Sequence, residues 1–268
     1  MVTTASALLF AMLLAAANAI AAAPEKPAEP DWLPGKDTPW VPSPAATVGK
    51  MLEVARVTAE DYVIDLGSGD GRNVIAAARL GARGLGVEFN PELVALSERA
   101  AADAGVSDKA TFVQGDMFTA DISQASVMML FLMPENLARL EPRLLALRPG
   151  TRIVVNTFGL DAWVPAEIET APGDCSIFCK VILYIVPARV AGRWRLAQGE
   201  LELEQSVQQI SGTLTKDGIA RKIESGRVTG DQVAFTVDGV RYKGRVSGNA
   251  ISGSAEGSGS TPWSAVRQ

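Results

Sequence analysis

The chain has 268 residues, with 25 Lys plus Arg against 30 Asp plus Glu, a formal net charge of −5, two Cys and no His. Without imidazole a Ser-His-Asp or Cys-His arrangement is excluded, a Cys/His zinc site lacks its ligands, and two thiols cannot hold a four-thiolate metal or iron-sulfur centre. A general base must then be a carboxylate, Tyr, Lys or a main-chain carbonyl, and neither a metal nor, given the net charge, nucleic acid is expected as a partner.

A hydrophobic content of 47% fits a folded chain of one or two domains. Charge is uneven: residues 1–187 carry 14 basic and 22 acidic side chains, whereas residues 188–268 carry 11 and 8. Two compositional units are expected.

From Ala5 to Ala23 the chain is almost wholly apolar, and Ala17-Asn18-Ala19 and Ala19-Ile20-Ala21 offer small-residue cleavage positions. Residues 1–23 therefore read as a secretory signal peptide. An uncleaved membrane anchor is the alternative, because the run approaches the ~20 apolar residues needed to span a bilayer. The expected location is exported (periplasmic) or membrane-anchored. Seven of the fifteen prolines fall within residues 24–44, which cannot propagate a helix or central strand and read as a linker. Its end, Trp40-Val41-Pro42-Ser43-Pro44, has the character of a fixed segment lying against a domain.

Residues 45–187 carry the signals of an α/β domain. Val48, Met51, Leu52 and Ala55 follow helical spacing, and Tyr62–Leu66 is a β-rich run that ends in Gly67-Ser68-Gly69-Asp70-Gly71-Arg72. Asn73–Leu80 is helical in pattern, Gly84–Val87 a second strand ending in Glu88, and Asn90-Pro91 an N-cap and first helical position leading into Leu93–Ala102. Val127–Met133 is a continuous apolar run, as expected of a strand covered on both faces. Arg152–Phe158 and Lys180–Val186 supply further strands. Strand, glycine turn and helix form the first crossover of a doubly wound sheet, whose ligand lies outside the carboxyl ends of the strands.

A dinucleotide turn requires G-x-G-x-x-G, but the sixth position here is Arg72. An acid, Asp65, precedes the glycines, and a second, Glu88, closes the next strand. The first suits an amino group close to the turn, and the second suits both hydroxyls of a ribose. A cofactor carrying an α-amino acid and a nucleoside matches that pair better than a pyrophosphate.

The run Val63–Arg72 resembles the first motif of the class I S-adenosylmethionine-dependent methyltransferases. The likeness continues through Gly86–Pro91 and Val113–Phe118. It implies a Rossmann-like sheet, S-adenosyl-L-methionine as cofactor, Asp65, Gly67, Ser68 and Gly69 around its methionine part, and Glu88 on the ribose. Asp116 would accept from the adenine amino group, with Phe89 and Met117 flanking the ring. Val41-Pro42-Ser43-Pro44 and Phe131-Leu132-Met133-Pro134 extend the resemblance, over about residues 39–187, to the small lysine methyltransferases related to the enzyme that modifies the c-subunit of ATP synthase. A protein lysine, on a soluble or a membrane-associated partner, is the acceptor this implies; a small-molecule methyltransferase and an exported non-catalytic binding protein on the same fold are the alternatives. The Asn/Asp-Pro-Pro-Tyr segment of amide and base methyltransferases is replaced by Met133-Pro134-Glu135-Asn136. Main-chain carbonyls at Leu132 and Met133, with Glu135 or Asn136 nearby, are the candidates for orienting the amine. Trp40 and Trp163 are candidates for walls of the acceptor channel or for ordinary packing. Cys175 and Cys179 read as a disulfide in an exported protein and as buried thiols in the cytosol.

In residues 188–268 apolar residues alternate: Leu201, Leu203 and Val207 on one phase, then Val233, Phe235, Val237, and after Asp238-Gly239, Val240, Tyr242 and Val246. Asp-Gly between alternating runs is a strong hairpin signal. The prediction is a small antiparallel barrel or sandwich, closed by Trp263–Val266. It would serve as a ligand pocket, a docking module or a structural appendage. Arg193, Arg195, Arg241, Lys243 and Arg245 form either a basic patch or a solvated strand face.

Overall fold

The computed structural model describes residues 40–173 and 175–268. The predicted leader, residues 1–23, and nearly all of the linker lie outside the described residues. Among the described residues no helix is long and apolar enough to cross a membrane.

Seven strands make the first sheet: β1 (Tyr62–Leu66), β2 (Arg83–Glu88), β3 (Ala110–Gln114), β4 (Val127–Leu130), β5 (Arg152–Asn156), β6 (Glu167–Thr170) and β7 (Lys180–Ile185). Their order is β3-β2-β1-β4-β5-β7-β6, with β1 to β5 parallel and β7 antiparallel to both β5 and β6. The order reverses between β1 and β4, the place where a doubly wound sheet leaves a crevice for a ligand.

Four helices cover it: α1 (Ala45–Val54), α2 (Arg72–Arg79), α3 (Pro91–Asp103) and α4 (Pro134–Leu144). Alternate strand residues go to opposite cores. Val63, Val127, Met129, Val154, Val181 and Leu183 pack with Val48, Met51 and Leu52 of α1. Ile64, Met128, Leu130, Ile153, Val155 and Ile182 pack with Leu137, Leu140 and Leu144 of α4. Both faces of the central strands thus need apolar side chains, which explains runs such as Val127–Leu130, with polar residues only toward the strand ends.

Two strand readings are corrected by more than one residue. β4 stops at Leu130 rather than Met133, because Met133 becomes the extended N-cap ahead of Pro134, the first residue of α4. β5 stops at Asn156 rather than Phe158, where Thr157 turns to φ +66°. The short edge strand β6, mostly exposed, carries no apolar alternation and is not marked in the sequence.

The second sheet contains β8 (Gly192–Leu196), β9 (Gly199–Ser206), β10 (Gln209–Lys216), β11 (Ile219–Lys222), β12 (Glu224–Thr229), β13 (Gln232–Val237), β14 (Val240–Ser247), β15 (Ala250–Glu256) and β16 (Ser260–Arg267). Both β11 and β12 pair with β10 and act as one strand with a register shift, so the sheet closes as an eight-stranded antiparallel barrel when β16 pairs with β8. The predicted choice between barrel and sandwich resolves as a barrel, closed by the segment containing Trp263–Val266. Asp217-Gly218 and Asp238-Gly239 each take two consecutive positive φ values, the conformation that twists a two-residue hairpin correctly. Val207, expected on a strand, instead occupies the β9–β10 turn at φ +51° and packs against the core of the first sheet.

The barrel interior is filled by side chains, with Trp194, Leu201, Val228, Val233 and Phe235 fully buried. Trp194 satisfies its indole N–H on the Val190 carbonyl at 2.7 Å. The basic residues of the barrel face mostly meet acids: Arg193 with Glu202, Lys243 with Glu256 and Arg245 with Asp231. That arrangement is a solvated face of paired charges rather than a one-signed patch.

Candidate active site

Gly67, Gly69 and Gly71 all lie in the left-handed region, at φ +73°, +57° and +78°, which only glycine adopts without strain. The turn they form is tied down from three sides. The Gly67 and Ser68 N–H groups donate to the Val87 carbonyl at 2.8 and 3.2 Å. The Ser97 hydroxyl, fully buried in α3, lies 2.9 Å from both the Gly69 and Leu93 carbonyl oxygens. The Gly69 N–H donates to Glu88 Oε2 at 2.9 Å. Ser68 is held through its main chain, and its Oγ is buried without a partner.

Asp65 ends up buried at the end of β1, where the Asn73 amide donates to it at 3.0 Å. Burial pushes its carboxyl well above the ordinary carboxylate range; the Asn73 hydrogen bond opposes this, and the nearby Glu88 and Asp70 carboxylates add to it. Beside it Asn73 Oδ1 is a buried acceptor with no partner. A buried carboxyl and an unsatisfied carbonyl oxygen next to a side-chain-free turn are suited to an amino group.

Glu88 accepts the Asn90 N–H on Oε1 and the Gly69 N–H on Oε2, both at 2.9 Å. Each oxygen keeps acceptor capacity, the requirement for gripping a vicinal diol. The Gly115 N–H donates to the Glu88 carbonyl at 2.9 Å and couples this loop to the one after β3. There Asp116 Oδ1 accepts the Phe118 N–H at 2.8 Å, and Arg143 holds the Met117 carbonyl at 2.9 Å. Phe89 is 48% exposed, whereas Met117 packs against the core. These features together fit S-adenosylmethionine, from amino acid to base, across the ends of β1, β2 and β3.

The segment before α1 roofs the glycine turn. Arg72 donates from Nη1 to the Ser43 carbonyl at 2.6 Å, while its Nε and Nη2 fork onto Asp70 at 2.9 and 2.6 Å. Asn156, buried at the end of β5, donates to Ser43 Oγ at 3.0 Å. The Trp40 indole lies on Gly69 so closely that a Cβ there would collide with its Nε1. Trp40 thus covers the cofactor turn rather than walling an acceptor channel. Trp163 is buried in the core, edge-on to Tyr184 at 5.9 Å, and is packing.

Past β4, Leu132 lies against the turn, 3.2 Å from where a Gly67 Cβ would be. The Met133 carbonyl accepts from the Asn136 and Leu137 N–H groups, both at 3.0 Å, so its lone pairs are used by the start of α4. Of the two carbonyls expected to orient an amine, that of Met133 is thus already engaged. Glu135 is exposed in the first turn of α4, and Asn136 is buried behind it. Sequence reasoning did not single out Ser97, the Arg72–Asp70–Ser43–Asn156 clamp, or the grouping of Phe131, Phe158 and Phe178, which meet at this end of the sheet.

Comparison with known proteins gives a consistent picture. The model of the ANTKMT methyltransferase domain matches residues 65–167. A protein-lysine N-methyltransferase of Saccharolobus islandicus (strain REY15A) is 38% identical over 151 residues, 55% of this chain and 93% of that protein. The ATP synthase c-subunit lysine N-methyltransferase of Mus musculus is 36% identical over 128 residues, 47% of this chain and 51% of that protein. This chain therefore spans almost all of the first relative and about half the length of the second. Among solved structures, an RNA methyltransferase from Salinibacter ruber in complex with S-adenosyl-L-homocysteine is similar at 43% identity, with a TM-score of 0.53, covering 56% of this chain and 96% of that one.

Proposed function

The chain belongs to the S-adenosylmethionine-dependent methyltransferases that include the ANTKMT domain and the protein-lysine N-methyltransferases, and from that premise we propose that it methylates a lysine side chain of a protein. The observation that carries the acceptor is the match over nearly the whole length of the Saccharolobus lysine methyltransferase.

Bound S-adenosylmethionine supplies a methyl group already activated on a sulfonium. The chain holds it with Asp65 and the Gly67–Gly69 turn at the amino acid, Glu88 at the ribose, and Asp116, Phe89 and Met117 at the base. What remains for the protein is to bring a neutral amine into line, since alignment can contribute several kcal/mol to such a displacement. Lysine, near pKa ~10.4, has to lose its proton, and an apolar channel favours the neutral amine by penalising the ammonium. We assign the orientation of the amine to the main chain at Leu132, with Glu135 or Asn136 nearby, and the proton leaves to water. Residues 45–187 form the catalytic unit and residues 188–268 an accessory domain. The apolar leader and the Cys175–Cys179 disulfide favour an exported or membrane-anchored protein, because such bonds persist in oxidising compartments.

The test is transfer of labelled methyl groups into soluble and membrane protein fractions and into RNA, followed by acid hydrolysis. Labelled methyl-lysine is the expected product. Label confined to RNA or to low-mass compounds overturns the lysine assignment. Paired charges on the barrel and the net charge of −5 argue against RNA.

A further inference from the structure

In a doubly wound sheet of this order the cofactor lies over β1, β2 and β3, which leaves the ends of β4, β5 and β7 for the acceptor. Three phenylalanines converge there from three separate loops. Phe131 leaves β4, Phe158 follows β5, and Phe178 precedes β7. The Phe131 and Phe158 rings are nearly parallel with centroids 6.5 Å apart, and Phe178 tilts onto Phe131 at 4.9 Å. All three are only partly buried. Leu132, next to Phe131, touches the glycine turn, so the aromatic group adjoins the methionine end of the cofactor cradle.

Phe178 is held from outside the sheet. It sits in the short loop closed by the Cys175–Cys179 disulfide, and its carbonyl accepts the hydroxyl of Thr47, a fully buried residue of α1, at 2.9 Å. Its φ of +56° is unusual for an aromatic residue and persists because the bridge and the Thr47 bond fix the loop on both sides. The exposed Ile177 stands beside it at the rim.

We propose that Phe131, Phe158 and Phe178 form the wall of the acceptor channel, that it receives the methylene stem and terminal amine of an unbranched aliphatic side chain, and that the Cys175–Cys179 bridge is the brace that positions Phe178. Aromatic faces cover an apolar stem and attract the cationic head while it is still at the solvated rim, before the proton is lost farther in. This inference rests on the lysine reading and specifies how that acceptor is recognised.

The experiment uses the full chain saturated with S-adenosyl-L-homocysteine, titrated with Nα-acetyl-lysine methylamide and with its norleucine analogue while ligand NMR reports binding. Wild type is expected to bind the lysine probe more tightly than the norleucine probe. Phe178→Ala should weaken both at least fivefold. Phe178→Leu should keep norleucine binding and lose the preference for lysine. Cys175→Ser/Cys179→Ser should resemble Phe178→Ala. Affinity for S-adenosyl-L-homocysteine should stay within twofold in every variant, which also reports that each is folded. Lysine-probe binding unchanged in Phe178→Ala overturns the wall; unchanged binding in the double serine variant overturns the brace. Failure of wild type to bind the lysine probe while it binds S-adenosyl-L-homocysteine overturns the lysine reading itself.

Discussion

Arg72 holds Ser43 across the mouth of the glycine turn: one guanidinium nitrogen donates to the Ser43 carbonyl at 2.6 Å while the rest of the fork grips Asp70. Together with the Asn156 amide on Ser43 Oγ, this contact fastens the segment that carries Trp40 over the glycine turn. A planar fork serving two directions cannot be replaced by a point charge. Both Arg72→Ala and Arg72→Lys are expected to weaken S-adenosyl-L-homocysteine binding about tenfold, in line with ~1.5–3 kcal/mol for a charged hydrogen bond. Calorimetry would read this directly, and full affinity in Arg72→Lys would show that charge alone suffices.

Gly69 is constrained twice, by φ +57° and by the indole lying on it. Gly69→Ala should abolish measurable cofactor binding. Adding Trp40→Ala removes the steric clash but not the backbone preference, worth ~1–2 kcal/mol. The double variant is therefore expected to recover part of the lost affinity. Complete recovery would mean that the left-handed conformation is unimportant.

Asp65 should give cofactor binding a pH signature. Its buried carboxyl favours the protonated form in the free protein, whereas a cationic amino group beside it favours the carboxylate. Binding then releases a proton, and affinity rises with pH until Asp65 ionises unaided. For folding the sign is opposite. A carboxyl raised above its unfolded value contributes stability at low pH that is lost as pH rises through the folded value. Asp65→Asn should accordingly lose cofactor affinity yet match or exceed wild-type stability at neutral pH. Calorimetry in buffers of different ionisation enthalpy, with parallel urea titrations, tests both halves.

Asp61 shows the reverse behaviour at the far end of β1. Burial opposes its ionisation, but hydrogen bonds from Thr58 and Ser126 at 2.8 and 2.7 Å and the Arg152 guanidinium prevail and hold its carboxyl below the usual range. Its contribution is present above the unfolded value of ~3.9 and disappears as pH falls through the folded one. Asp61→Asn should cost about 1–3 kcal/mol at pH 7, since Arg152 loses its carboxylate partner and keeps only the Ala55 and Arg56 carbonyls, and the gap should narrow on acidification. Urea midpoints at pH 7 and pH 3.5 measure it.

Gln208 links the two sheets. It is buried in the β9–β10 turn and donates to the Val164 carbonyl. Gln208→Ala should cost about 1–2 kcal/mol by leaving that carbonyl unpaired. Hydrogen exchange should accelerate in the β9–β10 turn and around Val164, and leave the central strands β1 and β4 protected.

The first sheet is legible in the sequence because its code is local. Val63 and Ile64 must both be apolar, since they enter opposite cores, and the three glycines must be glycine because no other residue takes those φ values cheaply. Asp65 and Glu88 are legible because they sit in the last residues of strands the pattern locates, whereas Asp116, two residues past β3, is marked only by the motif resemblance. Likewise Asp238-Gly239 marks its hairpin by the turn it makes at low cost, whereas the closure of the barrel through β16 and β8 is decided by strand pairing. The end of β4 is hidden because Phe131, Leu132 and Met133 prolong the apolar run past the last paired residue, up to the N-cap of α4.

By itself, then, the sequence determined an α/β sheet, a following antiparallel β unit and the glycine turn with its neighbouring acids, where periodicity, glycine stereochemistry and acids at strand ends act over a few residues. Only the tertiary structure decided what surrounds that cradle. Ser43 meets Arg72 across 29 residues, and Thr47 meets the Phe178 carbonyl across 131. Such pairs carry no periodic signal, because a hydrogen bond or a ring contact between distant loops depends on where the sheet brings their ends. Trp40, open between channel wall and ordinary packing, was placed on the glycine turn for that reason, while the three phenylalanines from separate loops acquired a common place only through the order of β4, β5 and β7.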